Sequence, residues 1–583
     1  MRKTKIVCTL GPATDRDGVL REMILAGMDV ARFNFSHGTH AEQQKRLEML
    51  RANREDLGLP VAALLDTKGP EIRLGDFKDG AATLKTGQVF VLTPRDVLGD
   101  ETVAAITFKN LYADVSVGSR ILLDDGKIEM VVSEIRGQDI ICKVLNGGAI
   151  SNHKGINAPG VHLSMPYLSS QDRADILFGI EQGFDIIAAS FTRNAQDIND
   201  IRQLLVENGA PDIKIIAKIE NQEGVSNIDE ILTASNGIMI ARGDMGVEID
   251  FTEIPIIQKK LIERCYNSGR PAITATQMLE SMMTNPRPTR AEITDVANAI
   301  YDGTSAIMLS GETAAGSYPV EAVRTMAAIA ERTESDINYP ELFRLRISHD
   351  ARLSITESVA HASCTTAMDT GADAIITVTA SGETARMLCK YRPSTPIIAC
   401  VMSEQIARQL NLSWGITPIT MPYANNTDEM IDYSVAAALK AGLVREGDLV
   451  VITAGVPVGV SGTTNMMKAH LIGDVLASGV GISRHNVTGH IRVCLDAADL
   501  KNKFKPGDVL VTASTGNQML EAMREAAAII TEEGGMNSHA AIVGLTLDKP
   551  VIVGVHGATQ LKDGQLVSVD SRRGVIRAMP DDI

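Results

Sequence analysis

The 583-residue chain is too long for one hydrophobic core and predicts three or four domains. Its net charge of −16 argues against broad binding of nucleic acid or anionic membranes, because the long-range field repels both. No apolar run is long enough to span a membrane. Seven scattered cysteines without a C-x-x-C pair argue against a disulfide framework or a structural zinc site. We therefore expect a protein of the reducing cytoplasm.

Eight short apolar runs, most of them followed by helical patterns, predict the parallel strands of a (β/α)₈ barrel. The first run follows the basic start of the chain and ends at a turn, which predicts a strand and not a signal peptide. Ser169-x-x-Asp172 and Thr289-x-x-Glu292 are typical of helix capping boxes. The runs are Lys5–Leu10, Val30–Phe35, Val61–Leu65, Ile186–Ser190, Ile213–Ile219, Gly237–Ala241, Ala272–Ala275 and Ala306–Leu309.

The remaining segments predict three further domains. Alternating runs between residues 72 and 166, with a hairpin signal at Asp125-Gly126, indicate an all-β lid inserted in a barrel loop. Helices and strands then alternate to Ala454, as in an open α/β domain, and strands with one helix follow. The predicted boundaries are 1–70 and 168–342 for the barrel, 71–167 for the lid, 343–474 for the α/β allosteric domain and 475–583 for the C-terminal domain.

Ionisable residues stand at the ends of several predicted barrel strands, where barrel enzymes place their active sites. Glu220 and Asp244 lie one βα unit apart, and two carboxylates with room for water and substrate oxygens are typical of Mg²⁺ sites. Arg32, Arg73 and Lys218 supply positive charge around them. This pattern favours phosphoryl transfer, in which positioning and charge stabilisation do most of the catalysis.

Two polar groups of residues complete the predicted site. Gly243 and Gly246 bracket a helix start that could hold a small carboxylate, with the Thr276 hydroxyl as a further donor. An oxygen-rich cluster with one formal charge suits a hard, weakly charged cation; its members are Asn34, Ser36, Asp66 and Thr67. A single Asp or Glu at a strand end usually caps a helix or pairs with an arginine, so no one of these residues indicates catalysis by itself. Only the charged residues at several strand ends together indicate an active site.

Seven segments resemble, in the same order, the signature segments of pyruvate kinases, over about residues 1–470. They are ARFNFSHG, LDTKGPEIR, KIEN, ARGDMGVE, ATQMLESM, PTRAEITDVANAIYDG and LSGETAAG. The resemblance implies transfer of the phosphoryl group of phosphoenolpyruvate to ADP, with Mg²⁺ (or Mn²⁺) and K⁺, in a homotetramer that binds neither nucleic acid nor membrane. In this family, Glu at position 71 accompanies K⁺ dependence. The open alternatives are a phosphoenolpyruvate- or pyruvate-dependent Mg²⁺ lyase and a non-catalytic metabolite sensor.

The resemblance also implies a role for each site residue. The expected catalytic residues are Lys218, Thr276 and Arg32. The expected substrate-binding residues are Arg32, Lys218, Gly243, Asp244 and Thr276. The nucleotide is expected at Asn34, Ser36, His37, Arg73 and Lys154. Mg²⁺ is expected at Glu220 and Asp244, and K⁺ at Asn34, Ser36, Asp66 and Thr67.

A strand-to-helix loop after residue 378 resembles the phosphate loop of the family's allosteric site. Its expected effector residues are Thr379, Ser381, Gly382 and Thr384, although the same loop could be an ordinary helix cap. Glu383 would repel a second phosphate, which favours a monophosphate activator such as AMP or ribose 5-phosphate. The later loop 455–462 lacks the aromatic and basic residues of relatives activated by fructose 1,6-bisphosphate.

The segment from Gly534 to Ala541 resembles the phosphohistidine domain of phosphoenolpyruvate-utilising enzymes, a swivelling β/β/α-type domain. Pyruvate kinases of some Gram-positive bacteria carry such an extension. Asn537 stands where catalytic relatives usually have Thr, and no ATP-grasp partner domain is present. We therefore expect a structural or regulatory role and not phosphotransfer by His539.

Overall fold

Eight parallel strands close into a barrel in the computed structural model, which describes residues 2–345, 353–456, 464–473, 475–483 and 485–579. Neighbouring strands follow the chain order, and the last strand pairs with the first through Ala306 and Lys5. The predicted barrel is confirmed, with ends shifted by at most one residue. The strands are Lys5–Thr9, Val30–Asn34, Ala62–Asp66, Ile186–Ala189, Lys214–Ile219, Gly237–Ala241, Ala272–Ala275 and Ala306–Leu309.

Apolar residues fill the barrel, and helices cover its outside, so polar groups collect at the strand ends. The helices are Val19–Leu25, His40–Leu57, Ser170–Glu181, Ala195–Glu207, Gln222–Ser226, Ile228–Ala234, Arg242–Glu248, Ile254–Asn267, Arg290–Asp302, Gly311–Ala314, Pro319–Glu334 and Tyr339–Leu345, with a 3₁₀ turn at Glu280–Met283. No helix in the described part of the chain could cross a membrane.

The two predicted capping boxes differ in the structure. Thr289 and Glu292 form the complete reciprocal box at the start of the helix Arg290–Asp302. At Ser169 the prediction is only half right. Its hydroxyl accepts from Asp172 N and donates to Asp172 Oδ2 at 2.6 Å, but the backbone N–H that the Asp172 carboxylate accepts from is that of Gly69, at 3.0 Å, and not that of Ser169. Asp is one methylene shorter than the Glu or Gln of a capping box, and this carboxylate points to the loop where the chain leaves the barrel.

The inserted segment is an all-β layer, as predicted. Its hairpin residues Asp124, Asp125 and Gly126 all have left-handed backbone, with φ of 51°, 55° and 82°, which suits the Asp and Gly found there. A short helix, Leu111–Asp114, accompanies the sheet. The strands are Ile72–Arg73, Ala81–Leu84, Val89–Thr93, Val103–Ala105, Arg120–Leu123, Ile128–Arg136, Asp139–Asn146, Gly148–Ser151 and Gly155–Asn157.

A five-stranded sheet forms the centre of the α/β domain. Its first three strands are parallel, which confirms the predicted open α/β arrangement. The strands are Ala374–Val378, Ile397–Val401, Ile416–Thr420, Leu449–Gly455 and Thr464–Leu471, and the helices are Ile355–Thr370, Glu383–Lys390, Glu404–Leu410 and Thr427–Lys440.

The chain divides into two units. The first consists of Met1–Ala438 and Val451–Lys468, and the second consists of Leu439–Val450 and Ala469–Ile583. The second unit holds an eight-stranded mixed sheet: Val475–Ser478, Val480–Gly481, Asn486–Val493, Val509–Thr512, Ala528–Thr531, Val551–Val553, Leu566–Asp570 and Val575–Ala578. Its described part holds three α-helices where the sequence predicted one: Ala497–Lys503, Leu520–Glu525 and His539–Thr546, with 3₁₀ turns at Asn517–Met519 and Ala558–Gln560. The first two helices are short, so the helical periodicity of their hydrophobic residues is weak in the sequence.

The cap at Thr289 gives a first prediction. Thr289→Ala removes the acceptor of the capping box and should destabilise the helix Arg290–Asp302 by about 1 kcal/mol. Amide hydrogen exchange within this helix should then be about fivefold faster. Thr294→Ala is the matched control, because the Thr294 hydroxyl only contacts the helix's own Arg290 carbonyl. Equal exchange rates in both variants would contradict the assigned cap.

Candidate active site

Four charged side chains from the ends of the second, third and fifth barrel strands meet in a buried network at the carboxyl end of the barrel. Arg32 Nε donates to Asp66 Oδ2 at 2.5 Å. Lys218 Nζ lies 3.2 Å from Asp66 Oδ1 and 2.9 Å from Glu220 Oε1. Asp66 is 1% exposed and Glu220 is fully buried. The strand ends thus bring Arg32 and Lys218 together with two carboxylates, whereas the third predicted cation, Arg73, pairs with Glu71. All four charges of the network depend on each other for charge compensation.

The pKa shifts within this network follow from burial and from the uneven sharing of charges. Burial alone would raise the pKa of Asp66, but Arg32 and Lys218 outweigh it and lower this pKa. Burial alone would lower the pKa of Lys218, but Asp66 and Glu220 raise it. Burial raises the pKa of Glu220 to about 8; Lys218 opposes this shift, and Asp244 adds to it. Lys218 is therefore charged at neutral pH, and Glu220 is the least compensated carboxylate of the network.

Ser190, at the end of the fourth barrel strand, connects the members of this network. Its hydroxyl accepts from Lys218 Nζ at 2.8 Å and donates to the Thr67 carbonyl at 2.7 Å. The same oxygen lies 3.1 Å from Asp66 Oδ1. The next residue, Phe191, donates its backbone N–H to Glu220 Oε2 at 2.5 Å. The sequence predicted the strand that ends here but did not identify Ser190 as a site residue, although a polar residue at the end of an apolar run was a usable signal.

The predicted carboxylate pocket brings Gly243 and Thr276 together. Gly243 N donates to Thr276 Oγ1 at 2.8 Å, and Arg242 donates to the Thr276 carbonyl at 2.7 Å. Asp244 lies beside them and is exposed. Thr276, Gln277 and Phe191 have φ of 69°, 55° and 54°, which is uncommon for residues other than glycine. Backbone strain of this kind clusters at functional sites, where the surrounding structure holds it.

Arg73 and Lys154 line a cavity of about 560 Å³, whose wall also includes Asp244 and Phe191 from the barrel. Both cations are paired with carboxylates on the lid side. Arg73 donates twice to Glu71 Oε2, at 2.6 and 2.9 Å, and Lys154 Nζ lies 2.9 Å from Asp124 Oδ1. A nucleotide phosphate bound here would have to compete with these carboxylates for the two cations.

The remaining predicted residues lie on the loops after the second and third strands. Asn34 Oδ1 accepts from Ser36 N at 3.0 Å, and Thr67 Oγ1 accepts from Ser190 N at 3.1 Å. His37 is exposed. Among the described residues, no three His, Cys, Asp or Glu side chains are grouped so that they could hold a metal ion alone. Any metal here would therefore need water or substrate oxygens as further ligands.

Comparison with known proteins decides the family. The model of the pyruvate kinase barrel domain matches residues 1–323, and that of the pyruvate kinase alpha/beta domain matches residues 357–470. A pyruvate kinase of Geobacillus stearothermophilus is 53% identical over 578 residues, which cover 99% of this chain and 98% of the relative. The chain belongs to the pyruvate kinase family. The predicted phosphotransferase is confirmed, and neither the lyase nor the non-catalytic sensor is favoured.

Two further similarities agree with this assignment. A pyruvate kinase of Bacillus licheniformis is 50% identical over 579 residues, covering 99% of each chain. The crystal structure of a pyruvate kinase from Cryptosporidium parvum has a TM-score of 0.76 and 39% identity, and covers 81% of this chain and 96% of that one. A model of the mobile domain of PEP-utilising enzymes matches residues 504–574, which confirms the predicted C-terminal extension.

In the predicted effector loop, two of the hydroxyls already have internal partners. Thr379 Oγ1 accepts from Gly382 N at 3.0 Å, and the Thr384 hydroxyl lies 2.6 Å from that of Thr464. Glu383 pairs with Arg386 at 2.9 Å, so its charge is compensated. This pairing weakens the repulsion of a second phosphate, and the monophosphate activator stays a prediction. Residues 457–462 of the later loop, 455–462, lie outside the described residues.

His539 stands at the start of the helix His539–Thr546, which Ser538 caps by accepting from Ala541 N. Its Nδ1 lies 2.9 Å from the Thr515 hydroxyl. Thr515 comes from a different loop of the same unit, so the sequence neighbours of His539 gave no sign of this contact. The pairing orients the imidazole ring, which fits the structural role expected for this residue.

The contacts of Ser190 give a second prediction. Ser190→Ala should lower kcat about 10- to 100-fold with little change in fold, because Lys218 loses a charge-assisted hydrogen bond. Steady-state kinetics and circular dichroism provide the measurement. Ser235→Ala is the matched control, since the Ser235 hydroxyl is equally buried and has no hydrogen-bond partner among the described residues. A kcat within twofold of the wild type in Ser190→Ala would remove Ser190 from the positioning of Lys218.

Proposed function

We propose that this chain transfers the phosphoryl group of phosphoenolpyruvate to ADP, giving pyruvate and ATP. The observation that carries the proposal is the buried pair of cations, Arg32 and Lys218, beside a carboxylate whose charge is only partly compensated, Glu220. The cations suit a phosphate group, and the carboxylate suits a divalent metal. The cavity with Arg73 and Lys154 opens on the same strand ends and offers cations for a second set of phosphates.

Each residue has a separate part in this reaction. Arg32 binds the substrate phosphate, and Lys218 stabilises the charge on the transferring phosphoryl group and on the enolate oxygen left behind. The N–H groups of Gly243 and Asp244 and the Thr276 hydroxyl hold the substrate carboxylate at the helix start. Asn34, Ser36 and His37 take part in binding the nucleotide together with Arg73 and Lys154. The enolate then takes up a proton to give pyruvate.

The residues present fit a divalent cation at Glu220 and Asp244. Glu220 Oε1 is buried and accepts no aligned hydrogen bond from the described residues, although Lys218 lies 2.9 Å away. Two carboxylates and several open positions are the usual protein share of a Mg²⁺ site. Mg²⁺ or Mn²⁺ held there would neutralise charge on the phosphoryl and enolate oxygens. We therefore assign the metal to these two carboxylates.

A monovalent cation fits the second oxygen cluster. Asn34, Ser36, Asp66 and Thr67 offer amide, hydroxyl and carboxylate oxygens, the donors that a hard, weakly charged cation prefers. Asp66 Oδ2 accepts a hydrogen bond from Arg32 Nε and keeps a lone pair for a further ligand. We assign K⁺ to this cluster. Its charge would add to that of Arg32 and Lys218 at the position of the transferred phosphoryl group.

The proposal also covers regulation and domain organisation. We infer that a phosphorylated activator binds the loop that contains Thr379, Ser381, Gly382 and Thr384. We further infer that the protein is a homotetramer in the cytoplasm and that changes between its subunits couple this loop to the barrel. The boundaries at residues 70, 167, 342 and 474 divide the chain into barrel, lid, allosteric domain and C-terminal domain. The C-terminal domain has a structural or regulatory role, because every residue with an assigned catalytic role precedes residue 280.

The role of Lys218 gives the test of the reaction. Lys218→Met should lower kcat by at least about 10²–10³ in a coupled assay of pyruvate formation, because it removes one charge-stabilising donor. The matched control is Lys259→Met, which removes an exposed lysine that pairs with Asp302 away from the strand ends. Near-normal kcat in a folded Lys218→Met variant would contradict the mechanism. Absence of ATP formation by the wild type would contradict the proposed reaction itself.

The monovalent cation gives a further prediction. The wild type should require K⁺ for full activity, and Glu71→Lys should relax this requirement by bringing a fixed positive charge to the lid side of the cavity. Glu71 also pairs with Arg73, so the variant should raise KM for ADP as well. Glu134→Lys, which alters an exposed lid carboxylate paired with Arg136, is the control. Full wild-type activity in buffer without K⁺ or Na⁺ would contradict the assignment.

A further inference from the structure

The loop Asn34–His37, at the end of the second barrel strand, carries residues of the proposed nucleotide and K⁺ sites. It turns sharply toward the next helix, and the Gly38 that follows has a φ of 79°. Within the loop, Ser36 N donates to Asn34 Oδ1 at 3.0 Å. His37 N lies 3.4 Å from the Asn34 carbonyl oxygen, which is long for a hydrogen bond. The hydrogen bonds inside this loop are therefore few and local.

Gln43, on the first turn of the helix His40–Leu57, adds two hydrogen bonds to this loop. Its side-chain Nε2 donates to the Asn34 carbonyl at 3.0 Å and to the His37 carbonyl at 2.9 Å. An amide nitrogen has two N–H donors, and Gln43 uses both of them here. Gln43 is 3% exposed, so water has little access to these bonds. One buried amide group thus bridges the first and the last residue of the loop.

The other end of the same amide group is not satisfied. Gln43 Oε1 is buried and has no hydrogen-bond partner among the described residues. A buried amide oxygen without a partner is unfavourable, and an apolar side chain of similar size would avoid it. Packing alone therefore does not explain a glutamine at this position, whereas the two bonds to the loop do.

The helix start that carries Gln43 is itself held in place. A complete capping box closes its first turn. His40 Nε2 lies 2.6 Å from Asp175 Oδ1, and the His40 ring stacks on Phe178 with a centroid distance of 4.4 Å. Both partners belong to the helix Ser170–Glu181. Gln43 therefore holds the loop from a fixed position.

We propose that Gln43 is a positioning residue for the nucleotide and the monovalent cation. By bridging the ends of the loop, it keeps Asn34 and Ser36 in the arrangement in which their oxygens bind these ligands. A loop with several conformations would bind them more weakly, in proportion to the population of the competent one. The identity of the ligands rests on the proposed function. The hydrogen bonds of Gln43 do not reach Arg32 or Lys218, so its loss should spare the chemical step.

The variant Gln43→Met tests this role, because it keeps a side chain of similar size and removes both donors. The dissociation constant of ADP should rise about 3- to 10-fold, the usual effect of losing a neutral hydrogen bond. Isothermal titration calorimetry with Mg²⁺ and K⁺ present measures this constant without turnover. The K⁺ concentration for half-maximal activity should rise by a similar factor. The kcat at saturation and the KM for phosphoenolpyruvate should stay within about twofold of the wild type, as expected when only binding is weakened.

Gln44→Met is the matched control. Gln44 is the adjacent residue, is exposed, and donates only to Glu48 of its own helix, at 3.1 Å. This variant should bind ADP and K⁺ as the wild type does. Without any ligand, the backbone amides of residues 35–38 should exchange hydrogen faster in Gln43→Met than in Gln44→Met. If Gln43→Met does not fold, Gln43→Asn tests the same point, because its shorter side chain withdraws the amide from the two carbonyls.

The possible failures can be told apart. Wild-type ADP affinity together with wild-type exchange of the loop amides in a folded Gln43 variant would overturn the role of Gln43. A lower kcat with unchanged ADP affinity would overturn it as well, because the residue would then act on the chemical step or on the fold as a whole. Absence of ATP formation by the wild type would contradict only the proposed function, since ADP affinity and loop exchange test Gln43 without turnover.

Discussion

The buried ion pairs around Asp66 are the constraint on which the active end of the barrel depends. One carboxylate that is 1% exposed holds both Arg32 and Lys218, the two cations assigned to the transferred phosphoryl group. Removing one partner of a buried ion pair typically costs about 3–5 kcal/mol, because the other charge is left uncompensated. The three strands that carry these residues must therefore end at the same level, and their fixed register in the closed barrel, partly through the intervening strand Ile186–Ala189, provides this.

The same network reaches the point where the chain leaves the barrel for the lid. Gly69 has a φ of 78°, and a Cβ there would lie 2.9 Å from Ser190 Cβ and 3.0 Å from the Phe191 ring. Asp172, just after the chain returns, accepts from Gly69 N. The exit and the return of the lid are thus tied together directly beside the residues that position Lys218 and Glu220. The segment that leads into the lid is therefore packed directly against the buried ion pairs.

The sequence predicted the barrel well because apolar runs of four to six residues with polar ends are a strong signal in a parallel sheet. It also predicted Arg32, Lys218 and Glu220 as neighbours, since their strand ends must share one rim. It missed Ser190, because the hydrogen bonds of this hydroxyl join residues of different strands and appear only in the folded barrel. It also missed Thr515, because this residue approaches His539 from a loop that is distant in the sequence. The pairing of Glu383 with Arg386 one turn later could have been read from the helix spacing, and it removes a repulsion that the residue alone suggested.

The net negative charge of the protein repels anionic substrates at long range, but this repulsion is weak at the distances that matter for the site. Charges separated by more than about 8 Å are largely screened at physiological salt, so the net charge of −16 matters little inside a buried site. There the balance is set by Arg32 and Lys218 against Asp66, Glu220 and Asp244. Burial raises the pKa of Glu220 to about 8, which favours its neutral form at neutral pH, and with the other four groups ionised the positive and negative charges then balance. A divalent cation held at Glu220 and Asp244 would favour the ionised form of Glu220 and would leave the group with one excess positive charge. Such a cation would therefore strengthen the attraction of the site for an anionic substrate.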